Sequence, residues 1–211
     1  MTTVHGERLS AVHRDHLERI SAISAEVIAA RGYESLVNPR ALPLEFRKQT
    51  VPMPGLLIPV WDTQGAIRTH QFRLDTPVAD SRTGKQVRYL NPAGGRICLD
   101  VPSACRPYLA DAEADLWITE GAKKVDSAVS HGMPCTIGLL GVAMWQREGM
   151  ALPDWKDIAL KGRCVVICFD SDVMVNPKVR RQLAGLAGFL DYRGAQVKYC
   201  LLPGWDGMVP Q

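Results

Sequence analysis

Two apolar segments that end in carboxylates decide the fold of this chain: LWITEG, residues 116–121, and CVVICFDSD, residues 164–172. Strands of parallel sheets are apolar on both faces, and functional groups collect at their carboxyl ends. We therefore interpret each segment as a buried strand followed by acidic residues. If the two strands are neighbours in one sheet, Glu120, Asp170 and Asp172 converge at one edge of it.

Three carboxylates at one sheet edge repel one another, and each raises the pKa of the others. A hard divalent cation removes this conflict, and oxygen ligands suit Mg²⁺ or Mn²⁺. Alternate residues of a strand point the same way, ~6.6 Å apart, so Asp170 and Asp172 can face the same side. We therefore expect Glu120, Asp170 and Asp172 to be metal ligands and catalytic residues. The alternative is that they are only strand-end and helix-cap acids.

The rest of this half of the chain completes an α/β pattern. Helices and strands alternate in the prediction, over Ala122–His131, Thr136–Leu140, Asn176–Tyr192 and Gln196–Leu202. Gly141 provides a turn after the second of these segments, and Asn176-Pro177 is typical of a helix cap and first turn. This order predicts a parallel sheet flanked by helices.

The combination resembles the Toprim domain shared by DnaG-type primases, topoisomerases and some nucleases. The marks of that domain are a strand followed by Glu-Gly, a glycine turn after the next strand, and a strand followed by Asp-x-Asp. Here they are Glu120-Gly121, Gly141 and Asp170-Ser171-Asp172. The resemblance implies a Toprim-like metal-binding domain, which we place at residues 111–211.

The first half of the chain, residues 1–110, is predicted to be a small basic α+β subdomain. Two short helices are expected over residues 7–31, the second capped by Ser24 and ended by Gly32. Turn residues between apolar and alternating segments predict a small antiparallel sheet. Its strands are expected over Leu56–Trp61, Ala66–Leu74, Gln86–Leu90 and Arg96–Val101.

Basic residues are concentrated in this predicted sheet. Between Arg68 and Arg96 there are six basic residues against two acids, a local net charge of +4, whereas the whole chain carries +3. Basic side chains mixed with aromatic rings suit single-stranded nucleic acid. The predicted nucleic-acid-binding residues are Arg68, Arg73, Lys85, Arg88, Tyr89 and Asn91. A solvated hairpin face is the alternative, and Phe72 serves equally well as a core residue.

The order of these segments extends the resemblance to DnaG-type primases. In those enzymes the Toprim core is preceded by a helix pair, a basic strand-turn-strand and a K-Y-L-N-like segment. Here HLERISAISAEVIAARGY, GLLIPVWDTQGAIRTHQFRLD and VRYLNP follow in that order. The similarity runs from about Arg14 to Pro203. It is closest to the primase-like Toprim family of phages, plasmids and integrated elements.

Two acidic positions of the DnaG pattern are altered here. DnaG-type enzymes have an aspartate four residues after the glutamate, where this chain has Lys124, preceded by Lys123. These lysines can hold a triphosphate or a template phosphate as point charges, or they lie solvated at the start of a helix. Asp126 is displaced from the family position, and the later acidic motif is reduced to Asp206, with Met208 in place of a second acid. Fewer ligands imply weaker or single-metal binding, or a domain that has lost catalysis.

The composition is that of an ordinary soluble protein, with 46% hydrophobic and 22% charged residues among 211. No apolar run approaches the ~18 residues that span a bilayer, and no basic-then-apolar leader opens the chain. A cytoplasmic protein without a membrane partner is therefore expected. The six cysteines form no C-x-x-C pair, and Cys164 and Cys168 are expected to be buried thiols. His13 and His16 lie three apart on one predicted helix face, without an evident carboxylate or cysteine partner for metal binding.

The resemblance implies a primase-like nucleotidyltransferase core that makes primers on single-stranded DNA with Mg²⁺ or Mn²⁺, in the replication of a phage or mobile element. Its expected partners are a single-stranded DNA template, nucleoside triphosphates and a separately encoded replicative helicase. The alternatives are a Toprim nuclease and a non-catalytic single-stranded nucleic-acid-binding module that feeds a helicase. A haloacid-dehalogenase-type phosphatase also uses D-x-D, but that motif normally opens its domain, whereas here it lies in the last third of the chain.

Overall fold

The fold contains two four-stranded sheets. The computed structural model describes residues 8–80, 84–170 and 175–202. The first sheet comes from the N-terminal half and is antiparallel throughout. Its strands lie side by side in chain order, as β1 (Glu34–Leu36), β2 (Gly55–Trp61), β3 (Ile67–Ala79) and β4 (Gln86–Leu90).

Short helices precede and interrupt this sheet. Before it lie α1 (Ala11–Asp15), a π-helical turn (His16–Ile20) and α2 (Ala25–Arg31), and after β1 come two 3₁₀ turns (Pro39–Ala41 and Leu44–Lys48). Ser24 caps α2, because its hydroxyl accepts a hydrogen bond from the backbone N–H of Val27. Gly32 ends α2 with a φ of 82°, a left-handed value that glycine adopts without steric cost. Both predicted limits of this helix are therefore confirmed.

Phe72 belongs to the core of the first sheet. It is fully buried and packs edge-to-face on Phe46, with ring centroids 6.4 Å apart. Leu57 lies opposite it on β2, and Leu36 and Leu74 complete the same cluster. Since the ring has no exposed face, Phe72 stabilises the sheet and is not available for stacking on a base.

The predicted strand over Arg96–Val101 is wrong. This segment makes a single antiparallel bridge, between Asp100 and Gly138 of the second sheet, and it does not extend the first sheet. Its other backbone N–H groups donate to different partners, which include Trp61 O at 2.7 Å and the Asp154 carboxylate at 3.0 Å. Because these bonds lead in different directions, the segment connects the two sheets instead of forming a ladder.

The second sheet is parallel and comes from the C-terminal half. Its strands are β5 (Leu116–Glu120), β6 (Thr136–Leu139), β9 (Cys164–Cys168) and β10 (Gln196–Tyr199), and their order across the sheet is β10-β9-β5-β6. The apolar residues of β5 and β9 face each other in register, with Ile118 opposite Ile167. Most residues of these two strands are buried, as the unbroken apolar sequence predicts.

Two helices flank the parallel sheet, α3 (Ala122–Ser130) after β5 and α4 (Pro177–Tyr192) before β10. The Asn176 side chain caps α4 by accepting a hydrogen bond from Lys178 N at 3.1 Å, and Pro177 occupies the first turn. Between β6 and β9 lie a small antiparallel ribbon, β7 (Gln146–Arg147) with β8 (Met150–Ala151), and a 3₁₀ turn (Pro153–Asp157). The predicted α/β fold, a parallel sheet flanked by helices, is confirmed.

A buried ion network joins the N-terminal helices to the second sheet. Arg31 donates from Nη2 to Asp126 at 2.6 Å and from Nη1 to Asp100 at 2.5 Å. The Tyr33 hydroxyl donates to the other oxygen of Asp126 at 2.6 Å. Arg31, Asp100 and Asp126 are each at most 2% exposed. Buried charges are tolerated when they are paired in this way, so the network fixes α2 against α3.

The cysteines of the chain are free thiols. Cys164 and Cys168 are half-buried, which is less than expected, because they stand at the two ends of β9. Within the described ranges, no helix has the length and apolar character needed to cross a membrane.

Candidate active site

The carboxyl ends of neighbouring parallel strands bring Glu120 and Asp170 to one pocket. Glu120 is the last residue of β5, and Asp170 follows the end of β9 by two residues. The two strands pair in register up to Thr119 and Cys168, so their ends lie side by side. Both acids line a pocket of about 460 Å³. The pocket has the size range of a small-molecule site.

The third predicted metal ligand, Asp172, lies outside the described residues, as do Asp206 and Met208 of the later acidic motif. The three-acid metal site therefore stays a prediction. The described residues contain no group of three or more histidine, cysteine or acidic side chains arranged to hold a metal ion. Two carboxylates that open into one pocket still fit a hard cation such as Mg²⁺, which keeps several waters and takes one or two carboxylates from a protein.

Lys124 forms an ion pair with one acid of the pocket, Asp170. Its Nζ lies 2.5 Å from Oδ1 of Asp170, and the two side chains are 44% and 48% exposed. Lys124 also lines the pocket. Lys124 therefore lies at the start of α3 with a partly exposed side chain that pairs with Asp170, and its contact with a phosphate stays a prediction.

Lys123 is held on the other side of the same pocket. Its Nζ lies 2.8 Å from Nε2 of His16 and 3.2 Å from the hydroxyl of Ser21. Burial, together with the nearby charges of Arg73, Arg88 and Lys124, lowers the pKa of Lys123 to about 8. Lys123 therefore belongs to a cluster of positive charges at the pocket.

Asp126, the displaced acid of the family pattern, does not reach the pocket. Both of its carboxylate oxygens are used by Arg31 and Tyr33 in the buried network between α2 and α3. It is 1% exposed. Asp126 is therefore a structural residue.

Three of the predicted nucleic-acid-binding residues lie beside the pocket. Tyr89 lines it and is 39% exposed, whereas its partner across the strands, Arg73, is 8% exposed and lies 4.0 Å from Asp75. Arg88 is half-buried, and its charge lowers the pKa of both Lys123 and His16, which places it near the same cluster.

The other three predicted residues lie elsewhere on the first sheet. Asn91 accepts a hydrogen bond from Gln71, a residue that lines the pocket, so it supports the pocket wall from outside. Arg68 is exposed and lines a separate groove of about 420 Å³ together with Arg96 and Arg147. Lys85 is exposed just before β4. The structure thus distributes these six residues over more than one surface.

Sequence reasoning missed the part that the N-terminal helices play in the pocket. Ile20 and Ser21 line it, and His16 contacts Lys123. The helical spacing of His13 and His16 predicts that they share one face, but the two rings have different partners. His13 is buried, with its ring nitrogens 2.7 Å from Ser35 Oγ and 2.8 Å from Asp75 Oδ1. A single sequence contains no clear signal for a π-helical turn.

A family of unknown function matches the C-terminal half of the chain. Its description reads "Domain of unknown function (DUF3854)", and the matched residues are 107–208. No curated protein sequence is significantly similar to the chain.

Solved primase structures match almost the whole chain. The Aquifex aeolicus primase, comprising the zinc-binding and RNA polymerase domains, has a TM-score of 0.66 at 17% identity, covering 93% of this chain and 51% of that one. A DnaG primase catalytic domain bound to ssDNA has a TM-score of 0.60 at 18% identity, covering 97% and 67%. The E. coli primase catalytic core has a TM-score of 0.59 at 18% identity, covering 94% and 66%.

The fold is therefore that of DnaG-type primase catalytic cores, which contain a Toprim domain. The chain spans about half the length of the Aquifex fragment and about two thirds of the other two structures.

Proposed function

We propose that this chain is the core of a primase-like nucleotidyltransferase that makes primers on single-stranded DNA from nucleoside triphosphates. The observation that carries the proposal is the pocket at the carboxyl ends of β5 and β9. There Glu120 and Asp170 meet Lys123, Lys124 and Tyr89, within the fold of a primase core. Acids beside a group of cations suit the attack of a primer 3′-hydroxyl on the α-phosphate of a nucleoside triphosphate, in which the new phosphodiester bond forms as pyrophosphate leaves.

In this proposal Glu120, Asp170 and Asp172 hold Mg²⁺ or Mn²⁺ through carboxylate oxygens. Such ions, when bound, neutralise developing charge on a transferring phosphoryl group and activate a hydroxyl nucleophile. In the same proposal Glu120, a half-buried residue of the pocket, also accepts the proton of the primer 3′-hydroxyl. Lys123 and Lys124 contact the phosphates of the incoming nucleotide as point charges.

The first sheet binds the template in this proposal. Arg73, Arg88 and Tyr89 lie closest to the pocket, so they hold the template where the reaction takes place. Arg68, Lys85 and Asn91 contact it farther along. We propose that residues 1–110 form the subdomain that binds nucleic acid and that residues 111–211 form the domain that binds metal and nucleotide. A replicative helicase encoded separately by a phage or mobile element would supply the single-stranded template.

A second function is favoured by one observation. Lys124 occupies the position of a family acid and contacts Asp170 directly. A positive charge there opposes the binding of a second cation, which favours a non-catalytic module that binds single-stranded nucleic acid and feeds a helicase.

One experiment separates these functions. The purified chain is incubated with single-stranded DNA, labelled nucleoside triphosphates and Mg²⁺ or Mn²⁺, and products are resolved by length. Extension products identify a primase. Shortened template identifies a Toprim nuclease. Binding of the DNA without either product identifies the non-catalytic module and contradicts the proposal.

A further inference from the structure

We infer that the N-terminal segment His16–Ser21 forms part of the active site. The segment positions Lys123 to bind a phosphate group of the nucleoside triphosphate. The inference rests on the proposed function, because that function supplies the triphosphate. It adds the assignment of His16 and Ser21 as the residues that position Lys123 for that contact.

The geometry around Lys123 supports this role. A lysine ammonium has three protons to donate and accepts none. The acceptors Nε2 of His16 and Oγ of Ser21 lie 2.8 Å and 3.2 Å from Nζ. Two of the three protons are therefore held by the N-terminal segment, and the third is left for a ligand in the pocket that Lys123 lines. Two fixed contacts also remove much of the rotational freedom of a long side chain, so less entropy is lost on binding.

His16 is suited to be an acceptor. Burial, followed by the charge of Lys123, lowers its pKa to about 4, so its ring is neutral near pH 7. A neutral imidazole accepts at Nε2 when its proton is on Nδ1. The contact is therefore an N–H donated by the lysine to the histidine, and it leaves the positive charge on Lys123.

The backbone of the segment is arranged for these contacts. The N–H of Ser21 donates to His16 O, five residues back, which makes the turn a π-helical one. Such turns occur mostly as single insertions and frequently at functional sites. Ala22 follows with a φ of 51°, a value uncommon for a residue with a Cβ atom. Leu17 within the segment and Ile23 just after it are buried in one cluster with Ala122, the residue before Lys123. The core therefore holds the segment against the start of α3.

The charges around Lys123 favour an anion. Arg73 on β3, Arg88 on β4 and Lys124 on α3 all act on its pKa, and His13 and His16 stand on the N-terminal helices. Glu120 and Asp170 are the acids of the pocket. Because like charges close together are unfavourable, a phosphate group bound at Lys123 is stabilised by its ammonium and by the nearby charges of Arg73 and Arg88.

The test measures binding of inorganic tripolyphosphate by calorimetry in the presence of EDTA, at several values between pH 7.5 and 9.5. We expect wild-type affinity to fall above pH 8, by up to about tenfold per pH unit, as free Lys123 loses its proton. Lys123→Met should bind weakly and with a flatter pH dependence. Lys123→Arg should keep binding at pH 9.5, because a guanidinium stays charged.

The positioning role is tested at His16. His16→Leu removes the acceptor and should weaken tripolyphosphate binding by about three- to tenfold, whereas His16→Gln keeps an acceptor oxygen and should retain most of it. Lys156→Met, which removes an exposed lysine of the 3₁₀ turn before β9, is the matched control and should bind as wild type does. If His16→Leu lowers the melting temperature, Ser21→Ala replaces it as the test of positioning.

The inference is overturned if wild type does not bind tripolyphosphate, or if Lys123→Met binds it with wild-type affinity and pH dependence. It is also overturned if Lys123→Met loses binding only of an oligothymidine without terminal phosphates, because the ligand would then be a template phosphate. Failure of the proposed function looks different. In that case tripolyphosphate binds as expected, but labelled nucleotides are not incorporated on single-stranded DNA.

Discussion

The ammonium of Lys124 lies 2.5 Å from Oδ1 of Asp170, across the pocket edge where two parallel strands end. In the DnaG-type pattern that the sequence resembles, an aspartate stands at the position of this lysine. Two acids at these positions would repel each other, whereas Lys124 and Asp170 form an attractive ion pair. It also occupies a carboxylate oxygen that is proposed to bind a cation.

This ion pair makes cation binding sensitive to Lys124. Both side chains are close to half exposed, so the pair contributes at most about 1 kcal/mol after solvent screening. Lys124→Met should therefore strengthen Mn²⁺ binding by no more than about fivefold. Lys124→Asp also adds oxygen donors and should strengthen it more. Calorimetric titration with Mn²⁺ measures the three proteins, and equal affinities would show that Lys124 does not compete with the cation.

The buried network around Arg31 predicts a large effect on stability. Arg31→Met leaves Asp100 and Asp126 buried without their cation, which should cost about 3–5 kcal/mol of unfolding free energy. The matched control is Arg19→Met, which removes an exposed i,i+4 pair with Asp15 and should cost less than about 0.5 kcal/mol. Urea denaturation measures both. A loss below about 1 kcal/mol for Arg31→Met would contradict the assigned role of the network.

The first sheet predicts a salt-dependent affinity for single-stranded DNA. Each phosphate neutralised contributes about −0.7 to the slope of log affinity against log salt concentration. Arg88→Gln should flatten that slope by about 0.7, and so should Arg68→Gln if the template extends into the groove with Arg96 and Arg147. Lys178→Gln, at the exposed start of α4, is the control. Unchanged slopes for both arginine variants would place the binding surface elsewhere.

Arg73 needs separate treatment in such an experiment. The charge pattern predicts a phosphate contact for it, but the structure buries the side chain beside Asp75 and Tyr89. Arg73→Gln should therefore lower stability as well as affinity. Fluorescence anisotropy with oligothymidine has to be combined with a melting curve for this variant. A fully stable Arg73→Gln protein would show that the guanidinium contributes little to the fold.

Much of the second sheet could be predicted from the sequence, because its signals are local. The apolar segments 116–119 and 164–168 both form mostly buried strands, and the acids after them lie at one edge because parallel strands share a direction. The caps at Ser24 and Asn176 were equally predictable, because capping needs only a few neighbouring residues.

The remaining features depend on contacts between distant residues. His16 and Lys123 are 107 positions apart, so neither the contact nor the shifted pKa of Lys123 has a local pattern. The segment 96–101 has the composition of a strand, but its neighbours are the second sheet and Trp61, which leave it no continuous partner. Tertiary packing overrides strand propensity there.

The most direct test of the central claim, catalysis at the pocket shared by Glu120 and Asp170, is the rate of labelled nucleotide incorporation on single-stranded DNA with Mg²⁺ or Mn²⁺. Wild type is compared with Asp170→Ala and with Asp191→Ala, which removes an exposed acid near the end of α4. We expect incorporation by wild type and Asp191→Ala, and a loss of roughly 100-fold or more in Asp170→Ala, because a metal ligand contributes several kcal/mol to the transition state. Equal rates for wild type and Asp170→Ala would contradict the account.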